Sequence, residues 1–89
     1  MDVLNDETVG RVKAVLVTTL GVEDRADTID ASTPLLGGLP EMDSLAVLEL
    51  VEALHSELGI TMDDDEINAE VFETLGSLAA LVDSKLRAG

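Results

Sequence analysis

The sequence predicts a small all-α bundle of three long helices and one short helix, with a long loop between the first two helices. Apolar residues recur at helical spacing in three separate segments. Phe72 is the only aromatic residue, and a core of Leu, Val, Ala and Ile is typical of a small helical bundle. A chain of 89 residues is long enough for one hydrophobic core, so we expect a single domain over residues 1–89.

The first helix is predicted from Asn5 or Asp6 to Leu20. Either of the two polar residues suits an N-cap, and Gly21 follows the last periodic residue as a stop signal. The apolar stripe comprises Val9, Val12, Leu16 and Leu20.

Residues 21–43 lack sustained periodicity and contain both prolines of the chain. A loop longer than about 15 residues in so small a domain is usually functional or wraps the core. We expect a short turn near Thr33. Three leucines should anchor the loop against the bundle, namely Leu35, Leu36 and Leu39.

The second helix is predicted to open at Asp43 and to end at Gly59. At 100° per residue one broad arc faces the core, formed by Val47, Leu48, Leu50, Val51, Leu54 and Leu58. The opposite face holds Leu45, Glu49, Glu52 and Ser56. Leu45 is thus an apolar side chain on an acidic face, although single exposed leucines are common.

An acidic turn, residues 63–66, follows the second helix. We expect a short helix from Ile67 to Phe72 that places Val71 and Phe72 inward. Thr74 should cap a last helix that runs to about Leu86. Its inward positions are Leu75, Leu78, Leu81 and Val82, and the basic residues Lys85 and Arg87 lie near its end.

The charge of the chain restricts its partners. Nineteen acidic and five basic residues give a formal net charge of −14. Such a chain repels phosphate backbones and anionic lipid, so we expect no nucleic-acid and no membrane binding, and self-repulsion favours a monomer. Proteins with basic patches are the expected partners. Met1 and Asp2 open no signal peptide and no apolar run approaches membrane length, so a cytoplasmic location is expected.

Catalytic and metal sites are poorly supported by the sequence. The chain has no cysteine, which excludes thiol nucleophiles and thiolate metal sites. If Ser44 and the single histidine, His55, share a helix, they lie roughly 16 Å apart along its axis. His55 therefore cannot serve Ser44 as a base. The acidic residues 63–66 match no register of an EF-hand loop, and we expect no metal site and no enzyme.

Ser44 occupies a special position at the predicted start of the second helix. Backbone N–H groups there have no intrahelical partners, and the helix dipole adds partial positive charge. A phosphate esterified to Ser44 would be stabilised at this position. Serine is also a routine N-cap, and position alone favours that interpretation.

The string from Asp43-Ser44-Leu45 to Leu54 closely resembles the acyl carrier protein family. In that family a D-S-L motif opens the second helix, and its serine receives 4′-phosphopantetheine from coenzyme A. The resemblance covers nearly the whole chain, because the first amphipathic helix, the long loop, the acidic turn and the last helix occur in the same order. It implies a carrier that holds acyl groups as thioesters and passes them between enzymes of a fatty-acid, polyketide or related pathway.

Position by position, the resemblance implies that Ser44 is the attachment site and that Asp43 contacts the phosphopantetheinyl transferase. Leu45 matches an apolar contact for partner enzymes, and Glu49 matches an acidic family position. Together with Glu52 and Ser56 they form a face for acyl-loading, condensing and acyl-transferring enzymes with basic patches. Electrostatic attraction between such a face and a basic partner favours fast association and short-lived complexes.

The chain departs from the family pattern at three places. Glu41-Met42 occupies the space where many fatty-acid carriers have a glycine, Glu52 stands where methionine is common, and Ser56 stands where glutamate is common. These changes favour secondary metabolism or another dedicated pathway. The alternatives are an aminoacyl, peptidyl or D-alanyl carrier, and an unmodified acidic helical interaction module or calcium sensor. A hydrolase using Ser44 would lack a base.

Overall fold

The computed structural model describes residues 6–40 and 42–88, and its regular structure is helical. The α-helices are α1 (Asp6–Leu20), α2 (Ser44–Leu58) and α3 (Leu75–Ala88), and two 3₁₀ helices span Glu23–Thr28 and Asp64–Glu66. The all-α prediction is confirmed. The candidate cap Asn5 lies outside the described residues. No helix within these ranges is both long and apolar enough to cross a bilayer.

Helix α1 is the centre of the bundle, since it packs against both α2 and α3. Within the described ranges, no Cα atom of α2 comes within 8 Å of a Cα atom of α3. The predicted stripes form the core, and its fully buried members include Val12, Leu16, Leu50, Leu54, Leu78 and Val82. The space between α2 and α3 is left to the segments that connect the helices.

The long loop wraps the core as predicted, but it is more ordered than its sequence indicates. The 3₁₀ helix Glu23–Thr28 was not predicted, because six residues with three acidic side chains show no apolar periodicity. The expected turn is present, with the Thr33 N–H donating to the Asp30 carbonyl at 3.0 Å. Leu35 is fully buried, and Leu36 and Leu39 pack partly buried against the core.

The loop is joined to the start of α3 by main-chain hydrogen bonds. The Leu75 N–H donates to the Thr33 carbonyl at 3.0 Å, and the Gly76 N–H donates to the Ala31 carbonyl at 2.7 Å. A Cβ atom on Gly76 would lie 2.8 Å from that same carbonyl oxygen. This close approach explains why glycine, a weak helix former, occupies position 76 in the first turn of α3. The predicted Thr74 cap is confirmed, since its Oγ1 accepts from the Ser77 N–H at 3.0 Å.

The short helix predicted from Ile67 to Phe72 is wrong in position. The helical turn lies earlier, at Asp64–Glu66, and residues 67–72 form bends and turns. The Asn68 side chain explains the difference, because its Nδ2 donates to the Asp65 carbonyl and its Oδ1 accepts from the Val71 N–H. Such local bonds compete with helix formation. Phe72 nevertheless points inward and is fully buried, and Val71 is half-buried.

A buried polar contact that the sequence did not predict joins the first turn of α1 to α3. Thr8 Oγ1 donates to Asp83 Oδ1 at 2.8 Å, and both residues are buried. The other carboxylate oxygen, Asp83 Oδ2, accepts from Arg87 Nε at 2.8 Å. Both oxygens of this buried carboxylate are therefore satisfied, as buried charge requires.

Candidate functional site

The start of α2 leaves the Ser44 hydroxyl available. Asp43 is the N-cap, with its Oδ1 accepting from the Ala46 N–H at 2.8 Å. Ser44 is the first helical residue and is exposed, and no hydrogen bond within the described residues engages its hydroxyl. The interpretation of Ser44 as a routine cap is therefore wrong, because Asp43 takes that role.

An apolar groove of about 340 Å³ opens beside Ser44. One side is formed by α2 through Ser44, Val47 and Leu48, and the other by Leu36 and the residues before α3. The fully buried Phe72 closes its floor. Since the other lining side chains are Ile67, Asn68 and Ala69, the groove suits an apolar chain better than a charged one.

The outward face of α2 carries the predicted partner-binding side chains. Leu45 is 64% exposed, and Glu49, Glu52 and Ser56 are also exposed. Leu48, which was predicted to face the core, is 57% exposed, so that prediction is wrong. Leu48 lines the open groove beside Ser44, so the buried arc of α2 is narrower than the apolar arc of its sequence.

His55 lies in the last turn of α2, at the opposite end of the helix from Ser44. Its Nδ1 lies 2.8 Å from the Ile60 carbonyl oxygen, so the ring donates a proton there. Gly59, with φ 72°, ends the helix in the left-handed conformation, and its N–H donates to the His55 carbonyl at 2.9 Å. His55 therefore fixes the end of α2 and forms no pair with Ser44.

The acidic turn after α2 is organised by Glu66. Its Oε1 accepts from the Asp63 N–H at 2.8 Å and lies 2.8 Å from Lys85 Nζ on α3. The hydrogen bond from Lys85, followed by that from the Asp63 backbone, holds the pKa of Glu66 below its usual range. In the described part of the chain, no group of three or more His, Cys, Asp or Glu side chains is arranged to hold a metal ion.

Sequence reasoning placed Ser44, Asp43 and the outward face of α2, but it missed the groove and the Glu66–Lys85 pair. The one available signal for the groove was Phe72, the lone aromatic residue in an aliphatic chain. The pair joins residues 19 positions apart across an irregular segment, which no helical spacing predicts.

These features define a helical protein that presents a free serine hydroxyl at a helix start, beside an apolar groove. Residues 10–82 match the family described as phosphopantetheine attachment site. The chain belongs to this family, whose members carry covalently attached 4′-phosphopantetheine and act as carriers and not as enzymes.

Individual relatives agree with this assignment. The chain is 37% identical to an acyl carrier protein of Petrotoga mobilis over 82 residues, which cover 91% of this chain and 89% of that protein. It is 36% identical to an acyl carrier protein of Treponema pallidum over 81 residues, covering 91% and 97%. The solution NMR structure of holo acyl carrier protein from Nitrosomonas europaea is similar with a TM-score of 0.82 and 44% identity, covering 89% of this chain and 95% of that one.

Proposed function

We propose that the Ser44 hydroxyl is the attachment point of 4′-phosphopantetheine and that residues 1–89 act as one acyl-carrying domain. The observation that carries the proposal is the free, exposed hydroxyl of Ser44 at the first position of α2. Attachment forms a bond from Ser44 Oγ to phosphorus and breaks the diphosphate link of coenzyme A. Adenosine 3′,5′-bisphosphate leaves, and a base of the transferase takes the serine proton.

The start of α2 suits a phosphodiester. The first N–H groups of a helix lack intrahelical acceptors, and the helix dipole favours a negative group there. Asp43 occupies the Ala46 N–H and leaves the serine oxygen free to be esterified. When bound, the group supplies the thiol that holds an acyl load as a thioester, which suits a chain without cysteine.

The groove beside Ser44 supports an acyl load over a polar one. Its lining is mainly aliphatic and aromatic, and its volume of about 340 Å³ lies at the lower end of the range for small-molecule pockets. An aminoacyl or peptidyl load would bring a charged or polar group against Leu36 and Phe72, at the cost of its hydration. We therefore favour an acyl carrier over an aminoacyl, peptidyl or D-alanyl carrier.

The outward face of α2 is proposed as the docking surface for the transferase and for acyl-handling enzymes. Leu45 provides an exposed apolar contact beside Ser44, and Glu49 and Glu52 provide negative charge. No lysine or arginine occurs between Arg25 and Lys85 in the sequence, so this part of the chain is acidic throughout. Opposite charge on a partner would raise the association rate without requiring a long-lived complex.

We also infer that the chain serves a dedicated pathway and not housekeeping fatty-acid synthesis. The support is the exposed pair Glu52 and Ser56, which replaces the methionine and glutamate common at these positions in fatty-acid carriers. A carboxylate in place of an apolar side chain changes which partner surfaces can pack against α2. Turnover of the loaded protein by fatty-acid condensing enzymes tests this inference, and efficient turnover would contradict it.

The attachment site is tested by incubating the chain with coenzyme A and a broad-specificity phosphopantetheinyl transferase. Intact mass should increase by one phosphopantetheinyl group in the wild type and remain unchanged in Ser44→Ala. Ser84→Ala is the matched control, because it removes an exposed hydroxyl from α3, outside the proposed docking face, and should be modified normally. Modification of Ser44→Ala would overturn the site assignment, and an unmodified wild type would favour the interaction-module alternative.

The docking face is tested by charge reversal. Glu49→Lys and Glu52→Lys should lower kcat/KM of the transferase severalfold at low ionic strength, and added salt should reduce the difference. Glu57→Lys is the matched control, because Glu57 lies on α2 but lines a cleft toward α1. Equal losses in all three variants would show that net charge, and not this face, governs recognition.

A further inference from the structure

The outer wall of the groove is a segment that connects α2 to α3, and we call residues 63–74 the strap. Ile67, Asn68, Ala69 and Phe72 of the strap line the groove opposite α2. Within the described ranges no Cα atom of α2 lies within 8 Å of a Cα atom of α3, and strap residues, not α3, line the groove wall opposite α2.

The strap is attached to α3 and to the long loop. Glu66 pairs with Lys85 of α3 at 2.8 Å, and Ser77 Oγ donates to the Val71 carbonyl at 2.7 Å. At the end of the strap, the Leu35 N–H donates to the Glu73 carbonyl at 2.9 Å, and the Leu36 N–H donates to the Phe72 carbonyl at 3.1 Å.

On the α2 side the strap has no comparable attachment. None of the hydrogen bonds or ion pairs found within residues 6–40 and 42–88 joins residues 63–74 to α2. Both walls of the groove are mainly apolar, with Ser44 and Asn68 as the polar members of the lining. Apolar contact is non-directional, so it can re-form around an inserted chain. The width of the groove is therefore set by the attachments at the back of the strap.

The Glu66–Lys85 pair is the attachment best placed to control this width. It is made by two side chains that are 27% and 22% exposed, whereas the other attachments involve backbone groups. The same Glu66 oxygen holds the Asp63 N–H, so one carboxylate fixes both the turn at the start of the strap and its distance from α3.

We propose that Lys85 is a positioning residue for the groove: its ion pair with Glu66 latches the strap to α3, and release of this latch opens the groove to an apolar chain tethered at Ser44. The statement about the tethered chain rests on the proposed function. A partly exposed ion pair changes an opening equilibrium by about fivefold or less, so the latch tunes access and does not seal the groove.

The latch itself is tested on the unmodified protein by amide hydrogen exchange. Lys85→Gln and Glu66→Gln should speed exchange of the Val71 and Phe72 amides by up to about fivefold, and by more than they speed exchange of the α1 amides. Glu66→Gln retains an oxygen for the Asp63 N–H and so removes only the charge. The reversed pair Lys85→Glu with Glu66→Lys should exchange more slowly than Glu66→Lys alone, because both lack the acceptor for the Asp63 N–H and only the reversed pair regains the ion pair.

Arg11→Gln is the control for loss of an ion pair elsewhere, since Arg11 pairs with Glu7 on α1 at 3.0 Å. It should leave strap exchange unchanged. Equal acceleration of strap and α1 amides in Lys85→Gln would indicate general destabilisation and overturn the latch, as would unchanged strap exchange in that variant.

Access to the groove is tested with octanoyl-loaded and acetyl-loaded protein by the rate of thioester cleavage with hydroxylamine. Lys85→Gln should slow cleavage of the octanoyl form up to about fivefold, because the opened groove holds and shields the chain more often. The acetyl form should be cleaved at an unchanged rate, because a two-carbon group is too short to occupy the groove. Equal octanoyl rates in wild type and Lys85→Gln would overturn control of access. Failure to load any group would instead contradict the proposed function. Hydrogen exchange on the unmodified protein would still show whether the Glu66–Lys85 pair holds the strap to α3.

Discussion

Asp43 Oδ1 accepts the Ala46 N–H at 2.8 Å, and this bond is what separates the capping of α2 from the chemistry of Ser44. In many helices a serine at the start of the first turn uses its own oxygen as the cap. Here the preceding carboxylate takes that role, so the serine hydroxyl stays free for modification. Asp43 thus takes the structural task, and Ser44 is left available for the proposed attachment.

Asp43→Ala should lower the free energy of unfolding by about 1 kcal/mol, the usual loss for an N-cap. Asp43→Asn keeps an oxygen acceptor and should lose little stability. Urea denaturation measures both. If the transferase modifies Asp43→Asn as slowly as Asp43→Ala, it recognises the negative charge of Asp43. Near-normal modification of Asp43→Asn would show that modification depends on the N-cap hydrogen bond and not on the charge.

Thr8→Val should destabilise the protein by about 1–3 kcal/mol, because it leaves the buried carboxylate of Asp83 without one of its donors. Thr8→Ser retains a hydroxyl and should recover most of this loss. Thermal unfolding of the three proteins provides the comparison. A Thr8→Val protein as stable as the wild type would show that this hydrogen bond between α1 and α3 contributes nothing to the free energy of unfolding.

Phe72→Ala should lower the free energy of unfolding by about 3–5 kcal/mol, because it leaves a cavity at a fully buried position at the floor of the groove. Phe72→Leu should cost less and is the variant to study if the alanine variant does not fold. In octanoyl-loaded Phe72→Leu, chemical-shift changes should extend further from Ser44 toward α3 than in the wild type. Shifts confined to the residues next to Ser44 in both proteins would exclude the groove as the position of the acyl chain.

The pH dependence of stability should include a contribution from Glu66. The Lys85 hydrogen bond lowers the pKa of Glu66 below its ordinary value of 4.5, so the folded state holds this carboxylate in its charged form. The contribution is present above the ordinary value and is lost as pH falls through the lower folded value.

Glu66→Gln should therefore reduce stability at neutral pH and flatten the acid limb of the stability profile. Asp30, whose pKa is lowered by the hydroxyl and N–H of Ser32, should retain its own contribution in that variant. Parallel acid limbs in wild type and Glu66→Gln, measured by urea denaturation from neutral to acid pH, would contradict the role of the pair.

The sequence predicted the helices that carry apolar stripes, because burial against α1 repeats with the helical period. It also placed Asp43 and Ser44 at the start of α2, since capping chemistry is local. The sequence-based prediction failed where contacts between distant segments determine which side chains are buried. Leu48 is exposed because it lines an open groove whose far wall comes from other segments of the chain, and the α2 sequence alone does not show this.

The structure of the strap was also predicted wrongly, and the difference has one local cause and one that involves a distant residue. The Asn68 side chain bonds to the backbone on both sides of itself and replaces the predicted helix by turns. The Glu66–Lys85 pair then fixes those turns against α3. Neither effect leaves a periodic signal, so the groove that the strap forms beside Ser44 could be found only in three dimensions.

The proposed attachment of the phosphopantetheinyl group to the Ser44 oxygen is tested most directly by peptide mapping with tandem mass spectrometry after treatment with coenzyme A and transferase. We expect a single modified site, at Ser44, in the peptide that contains the start of α2. Modification at another serine, or an unmodified Ser44 in fully folded protein, would contradict it.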